Sequence, residues 1–378
     1  MIKIDFNLLN YIVLSENNCQ IEGLIYYNNK ASILNFLNNK KIKIIKEIPF
    51  LSAIAVCFKS KEVFELSKQN FVTYISSLAT AKTLINVSKR IIGVNDIKYK
   101  GEGQTVAIID TGISPHIDFT LKNNRIIKFC DFVNNYNYPY DDNGHGTYVS
   151  GILAGSGLLS NGLYEGIVPR ANIISLKALS DKGEANAVTI LEAMQWVYDN
   201  HKAYKIGTVC MSFGSEPLGN YDPIMKGAEK LWNEGIIVVC AAGNSGPKYQ
   251  TIKSPGISKK IITVGGLDDC RDEMGNYNYK DFKVAEFSSR GPANNRIKPD
   301  IIAPCVNITS CSYNGNYTKM SGTSVATPMV AGLAIILKQM YPNITPEQIK
   351  TYLLKNAIPI KENSFSQGYG VAYLRNNK

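Results

Sequence analysis

Asp110 closes the apolar run TVAIID (105–110), His145 stands between two glycines in DDNGHGTYVSGILAG, and Ser324 lies in SGTSVATPMVAG. A carboxamide, Asn244 in AAGNSGP, falls between the last two. Each residue alone has a plain structural explanation. A carboxylate at a strand end can cap the following turn, an imidazole can pack in a core, and a hydroxyl at a helix start can satisfy an orphan N–H. In chain order, however, they supply what acyl transfer needs: a nucleophile, a base for its proton, a carboxylate to fix the base's tautomer and a donor for the developing oxyanion. Ser321, Thr323, Ser324 and Thr327 bring more hydroxyls to one helix start than a cap requires, and helix N-termini favour an oxyanion formed there. Of the three histidines, His201 in the polar DNHKAY reads as a surface residue, and His116 in TGISPHIDF as a loop residue or a support for its neighbours.

The elements that must position these residues follow from the spacing of apolar runs. From Gly103 onward, strands TVAIID, NIISLKAL, GTVCMSF, GIIVVCAAG and KIITVGG alternate with helical stretches, which implies a doubly wound α/β fold with a parallel sheet covered on both faces. Ligands of such sheets gather at the carboxyl ends of the strands, where Asp110 and Asn244 lie. A helix is expected from Ser324 to about Gln339, apolar on all sides and therefore buried, with Pro328 in its first turn. Another begins at Thr345-Pro346 with Gln348 completing a capping box. Before the sheet, residues 21–78 read β-α-β-β-α-β, a small α+β unit, and 79–100 lose periodicity as a linker would.

Composition narrows the partners. With 378 residues and 45% hydrophobic content, the chain can bury a large core, yet no apolar run reaches the roughly 18 residues that span a bilayer. The opening MIKIDFNLLNYIVLSEN has no export-signal pattern, and the eight scattered cysteines read as reduced thiols, so a cytoplasmic location with no membrane partner is expected. The net charge of +10 is spread over lysines that alternate with apolar residues, without aromatic interleaving, so no nucleic-acid partner is expected.

At IIDTGI, NGHGTYVSGILAG, AAGNSGP, FSSRGP with KPDIIAPCVNI, and SGTSVATPMVAG, the chain resembles the subtilisin family of serine proteases over about residues 100–375. The loops look most like those of intracellular subtilisins of the AprX type. The resemblance implies a subtilisin-like catalytic domain over 85–378, preceded by a ferredoxin-like inhibitory prodomain over 1–84, with the boundary between 78 and 95. It implies Ser324 as nucleophile, His145 as general base, Asp110 as the orienting carboxylate and Asn244 as an oxyanion donor. Substrate peptides would pair as extended strands with Ser212, Phe213 and Gly214, facing a pocket wall of Ala242 and Gly243. The chemistry requires no cofactor. The turn that holds the strong calcium site of secreted subtilisins is missing, so a structural calcium has no residues assigned to it. The family's HGTHVAG reads HGTYVSG here, so Tyr148 and Ser150 imply altered packing or substrate contact; GTSMATP reads GTSVATP, placing Val325 beside the nucleophile; and Phe213 replaces a common leucine. The rival expectation is a silent or prodomain-inhibited pseudoprotease that acts as a binding module.

Overall fold

The first helix shows how local sequence sets an element. Asn29 accepts a hydrogen bond from the Ser32 N–H at 3.0 Å, which caps α1 (Lys30–Asn39), and Ile33 and Leu37, one turn apart, turn the same face into the core. The computed structural model describes residues 3–5, 8–9, 12, 20–77, 87–121, 123–272 and 275–375, and its two compact units are 1–84 and 85–378. In the first unit, strands β1 (Gln20–Tyr27), β2 (Lys43–Ile48), β3 (Ala53–Lys59) and β4 (Val72–Ser77) form an antiparallel sheet in the order β2-β3-β1-β4. With α1 and α2 (Ser60–Ser67) the chain order is β-α-β-β-α-β. Ile4 adds a parallel bridge to Ile75 at the β4 edge, a pairing with no signal in the sequence pattern.

Residues 78–86, the heart of the expected linker, lie outside the described residues. From Val87 the linker expectation fails. Val87–Ile91 form a short helix, α3, and Ile91, Ile92, Val94 and Ile97 are all buried in the second unit. The polar residues between them masked an apolar face.

The second unit is built on a sheet ordered β11-β10-β9-β8-β5-β7-β6, with β12 also paired to β10. Strands β5 (Thr105–Asp110), β6 (Ile126–Asp131), β7 (Asn172–Lys177), β8 (Ile206–Met211), β9 (Ile237–Ala241), β10 (Ile262–Asp268) and β12 (Ile301–Pro304) run parallel, while β11 (Lys283–Val284) is an antiparallel edge. Every residue of β5 is buried, as a strand covered on both faces must be. After a single turn of helix, α4 (Ile117–Thr120), come α5 (His145–Ala154), α6 (Ala187–Tyr204), α7 (Pro223–Asn233) and α8 (Thr323–Met340). Helices α5 and α8 pack together over β5 and β8–β10; α6 and α7 pack together against β5, β8 and β9. A hairpin of β13 (Ile308–Cys311) and β14 (Tyr317–Met320) leads directly into α8, and α9 (Pro346–Asn356) carries the expected Thr345–Gln348 capping box.

Helix α8 departs from expectation in one respect. It begins at Thr323, so Pro328 lies in the second turn, not the first, and the Ser324 carbonyl loses its i+4 donor. The helix tolerates this because it is clamped by its neighbours: a Cβ built on Gly332 would lie 2.5 Å from Ile167 Cβ. Gly332→Val is therefore expected to destabilise the protein by about 1–3 kcal/mol in denaturant unfolding. Unchanged stability would show that α8 is not held at that distance.

Candidate active site

Asp110 ends β5 with its carboxylate 1% exposed, and His145 opens α5 behind Gly144, whose φ of 99° suits a residue without Cβ. His145 Nδ1 lies 2.7 Å from Asp110 Oδ1, which also accepts the Thr111 N–H at 2.8 Å. A carboxylate only accepts, so Nδ1 carries the proton and Nε2 of the neutral ring presents its lone pair. Asp110 Oδ2 is buried with no hydrogen-bond partner among the described residues. Burial alone would lower the His145 pKa, but the charge and hydrogen bond of Asp110, aided by Asp141, outweigh it and leave it raised.

A set of residues that motif spacing did not single out holds this pair. Thr111 Oγ1 donates to Asp141 Oδ1 at 2.9 Å and accepts the Gly146 N–H at 2.8 Å, which ties the end of β5 to the start of α5. Asp141 also accepts from the Gly144 N–H, the Thr147 N–H and the Thr147 hydroxyl at 2.8, 2.8 and 2.6 Å. Lys177, fully buried at the end of β7 and in register with Asp110, donates to the Thr111 carbonyl at 2.7 Å and to Asp142 at 2.6 Å. The available signal was a lone charge closing the apolar NIISLK and an aspartate four residues before His145.

Ser324 is the second residue of α8, and Gly322, which immediately precedes the helix, is the N-cap, with no side-chain cap bond. None of the clustered hydroxyls caps the helix. Ser321 Oγ accepts the Asn307 N–H, and Thr327 Oγ1 donates to the Thr323 carbonyl. Thr323 works on Asn244 instead: its N–H and hydroxyl each donate to Asn244 Oδ1 at 2.9 Å, which fixes the amide with Nδ2 directed away from them. A Cβ built on Gly322 would lie 3.1 Å from Ser324 Oγ, 3.3 Å from Asn244 Nδ2 and 3.8 Å from the Ser324 nitrogen. The space glycine leaves vacant is thus ringed by a hydroxyl and two N–H donors, a setting that suits an anionic oxygen.

Helices α5 and α8 bring the two halves together, although His145 Nε2 and Ser324 Oγ make no hydrogen bond with each other in this structure. Tyr148, one turn past His145, is fully buried, so packing rather than substrate contact is its role here. Its hydroxyl donates to the Ile308 carbonyl at 2.6 Å and accepts the Met320 N–H at 3.2 Å, joining α5 to the hairpin end that leads into α8. Ser150 is likewise buried and donates to the Gly146 carbonyl, and Val325 is buried in the core beside Ser324.

Ser212, Phe213 and Gly214 run on from β8, and among the described residues Phe213 and Gly214 make no backbone hydrogen bond. Across from them, Ala242 and Gly243 follow β9, and both walls are stitched to the segment 253–254. His116 and His201 lie outside this site. His116 caps α4, accepting the Asp118 N–H at Nδ1 and contacting the Asn316 carbonyl at Nε2, while His201 contacts the Tyr198 carbonyl in the last turn of α6. His116, Asp118 and Cys311 are grouped closely enough to hold a metal, but both ring nitrogens are occupied. Burial beside Asp118 also pushes the Cys311 thiol well up, so it stays protonated. This mixed, saturated set lacks the oxygen-rich shell that calcium takes.

Residues 101–370 match the Subtilase family. The chain is 41% identical over 304 residues to serine protease AprX of Bacillus subtilis (strain 168), covering 75% of this chain and 67% of that protein. It is 31% identical to subtilisin DY of Bacillus licheniformis, covering 72% of this chain and 90% of that one. Among solved structures, Sphericase superposes with a TM-score of 0.66 at 27% identity, over 79% of this chain and 100% of that chain.

Two outcomes follow from the geometry. Labelling of Ser324 by a fluorophosphonate requires neutral His145, and a raised pKa means that the rate falls as pH drops through a value above the usual histidine value of about 6.5. Asp110→Asn should slow labelling on the order of 10,000-fold, the loss known for such a change at another Ser-His-Asp site. A midpoint below 6, or an unaffected Asn variant, would contradict the assignment. Gly322→Ala places a methyl in the vacant space and should cut the labelling rate by at least about 100-fold, with thermal unfolding of the same variant separating this loss from the backbone strain that a side chain adds at φ 157°. Equal rates would mean that no anion is held there.

Proposed function

This chain belongs to the subtilase family and is a serine protease, and from that premise we propose that it hydrolyses peptide bonds through an acyl-enzyme on Ser324. The observation that carries the proposal is the buried hydrogen bond from His145 Nδ1 to Asp110, which leaves Nε2 as the acceptor for the Ser324 proton. In the first step Ser324 Oγ attacks the scissile carbonyl carbon and its proton passes to Nε2. The carbonyl oxygen takes up the negative charge between Asn244 Nδ2 and the Ser324 N–H, in the space beside Gly322. The C–N bond then breaks as the imidazolium returns the proton to the leaving amine. Water, deprotonated by His145, attacks the ester, and Ser324 leaves with a proton.

Substrates on this proposal are proteins or peptides bound as extended strands. Support comes from the unpaired backbone of Phe213 and Gly214, which can add one strand by main-chain bonding and leave selectivity to the pocket between Gly214 and Gly243. The first unit, with its β2-β3-β1-β4 antiparallel sheet, acts as an intramolecular inhibitor that the enzyme itself removes by a cut between residues 78 and 95. No cofactor enters any step, and no calcium site is assigned. The described cysteines Cys57, Cys130, Cys210, Cys240, Cys270, Cys305 and Cys311 are free thiols, which suits a reducing cytoplasm.

Purified wild-type protein should therefore run as two fragments, the larger labelled by a fluorophosphonate, while Ser324→Ala remains one unlabelled chain until mixed with active enzyme. Two identical unlabelled chains would leave a pseudoprotease as the better description.

A further inference from the structure

Lys253 lies where the two proposed pocket walls meet. Its N–H donates to the Ala242 carbonyl at 2.9 Å, while its neighbour Ser254 exchanges two backbone bonds of 2.9 Å with Ser215. The segment therefore bridges the wall of 212–215 and the wall of 242–243 as a floor. Two glycines face the lysine stem from opposite sides. A Cβ on Gly214 would lie 2.6 Å from Lys253 Cβ, and one on Gly243 would lie 2.5 Å from Lys253 Cγ. The methylenes occupy the space that both glycines leave free, and the ammonium emerges at the rim, where it pairs with Glu216. The lysine side chain is only 19% exposed, whereas that of Glu216 is 80% exposed. The carboxylate is thus the loosely held member, and a ligand can take its place at little cost.

On the reading that these walls bind the side chain preceding the scissile bond, we propose that Lys253 makes this pocket selective for an acidic side chain. A glutamate that reaches past the two glycines and lies over the lysine stem brings its carboxylate to the ammonium, and it displaces Glu216 from that partner. An uncharged side chain of the same shape meets a cation that stays with Glu216. A large aromatic ring must displace the stem before it can enter. The cation sits on a stitched backbone floor, with Ser254 Oγ bonded to the buried Asp222 at 2.6 Å, so its anchor does not drift when the side chain changes partner.

The test is cleavage of otherwise identical fluorogenic peptides that carry Glu, Gln or Phe before the bond, measured as kcat/KM after fluorophosphonate titration of active sites. Wild type is expected to prefer Glu over Gln by about 10-fold or more, the effect of one charge-assisted hydrogen bond, and high salt should reduce the ratio. Lys253→Met, which keeps the stem and removes the charge, should bring the ratio to one or below. Glu216→Gln should raise it by freeing the ammonium, and supplies a second reading if the Met variant does not fold. Efficient cleavage with Gln equal to Glu, or a Glu preference that survives Lys253→Met, overturns the proposal and leaves the protease assignment standing. Absence of labelling and of cleavage in wild type overturns both.

Discussion

A buried carboxylate with one oxygen committed and the other without a partner among the described residues is the constraint around which the second unit's site is arranged. Asp110 is 1% exposed, and the Thr111 N–H and the His145 ring both donate to Oδ1, which offsets the cost of burying the carboxylate. Its second oxygen contributes negative potential without a bond to spend it on, and the nearest beneficiary is the imidazole. The same charge that burial makes costly is thus what raises the His145 pKa. Remove the helices above and below the sheet, and the carboxylate would be hydrated and its influence on the ring screened. Core and chemistry are one structure here, since covering β5 on both faces creates the low-dielectric setting.

Holding that pair in register falls to side chains from distant parts of the chain. Thr111 and Asp141 lock the strand end to the helix start, Lys177 draws the Thr111 carbonyl down from the neighbouring strand, and Tyr148 links α5 to the hairpin before Ser324. The bonds from Thr111 to Asp141, Lys177 to Thr111 and Tyr148 to Ile308 are buried, so losing one leaves an unsatisfied group rather than a merely weaker contact. Lys177 is the extreme case. It is fully buried, and its Nζ donates to the Thr111 and Leu179 carbonyls and to Asp142, with the face of Tyr140 5.1 Å away. A buried cation one strand from Asp110 also balances the charge that the site concentrates.

The residues proposed to act stand out in the sequence far better than those that hold them, and the difference has a physical basis. Asp110, His145, Asn244 and Ser324 each interrupt an apolar or glycine-rich run, so local pattern exposes them, and α8 was readable almost to its last residue because it is apolar all round. The supports act across large separations: Lys177 and Thr111 are 66 residues apart, Tyr148 and Ile308 160. No local periodicity records such contacts. Strand β6 escaped for a different reason. It lies at the sheet edge, alternates buried with part-exposed residues and carries a register shift near Lys128, so it does not resemble the continuous apolar run expected of a parallel strand. Pro328 misled because proline is favoured in first turns, whereas the packing of α8 tolerates it in the second.

The cleft follows from where the strands stop. Strand β5 ends at Asp110 and β9 at Ala241, so once β8 passes Met211 its continuation through Phe213 and Gly214 makes no backbone hydrogen bond among the described residues. An unpaired edge invites any passing chain, and proteins usually blunt such edges. Here it is kept to a few residues, is bounded by the bridge from Ser215 to Ser254, and ends in a glycine that adds no apolar surface. So short an edge cannot hold a partner by backbone bonds alone. On the proposed function, a bound strand would also place a side chain between Gly214 and Gly243, and this second requirement would make the edge selective.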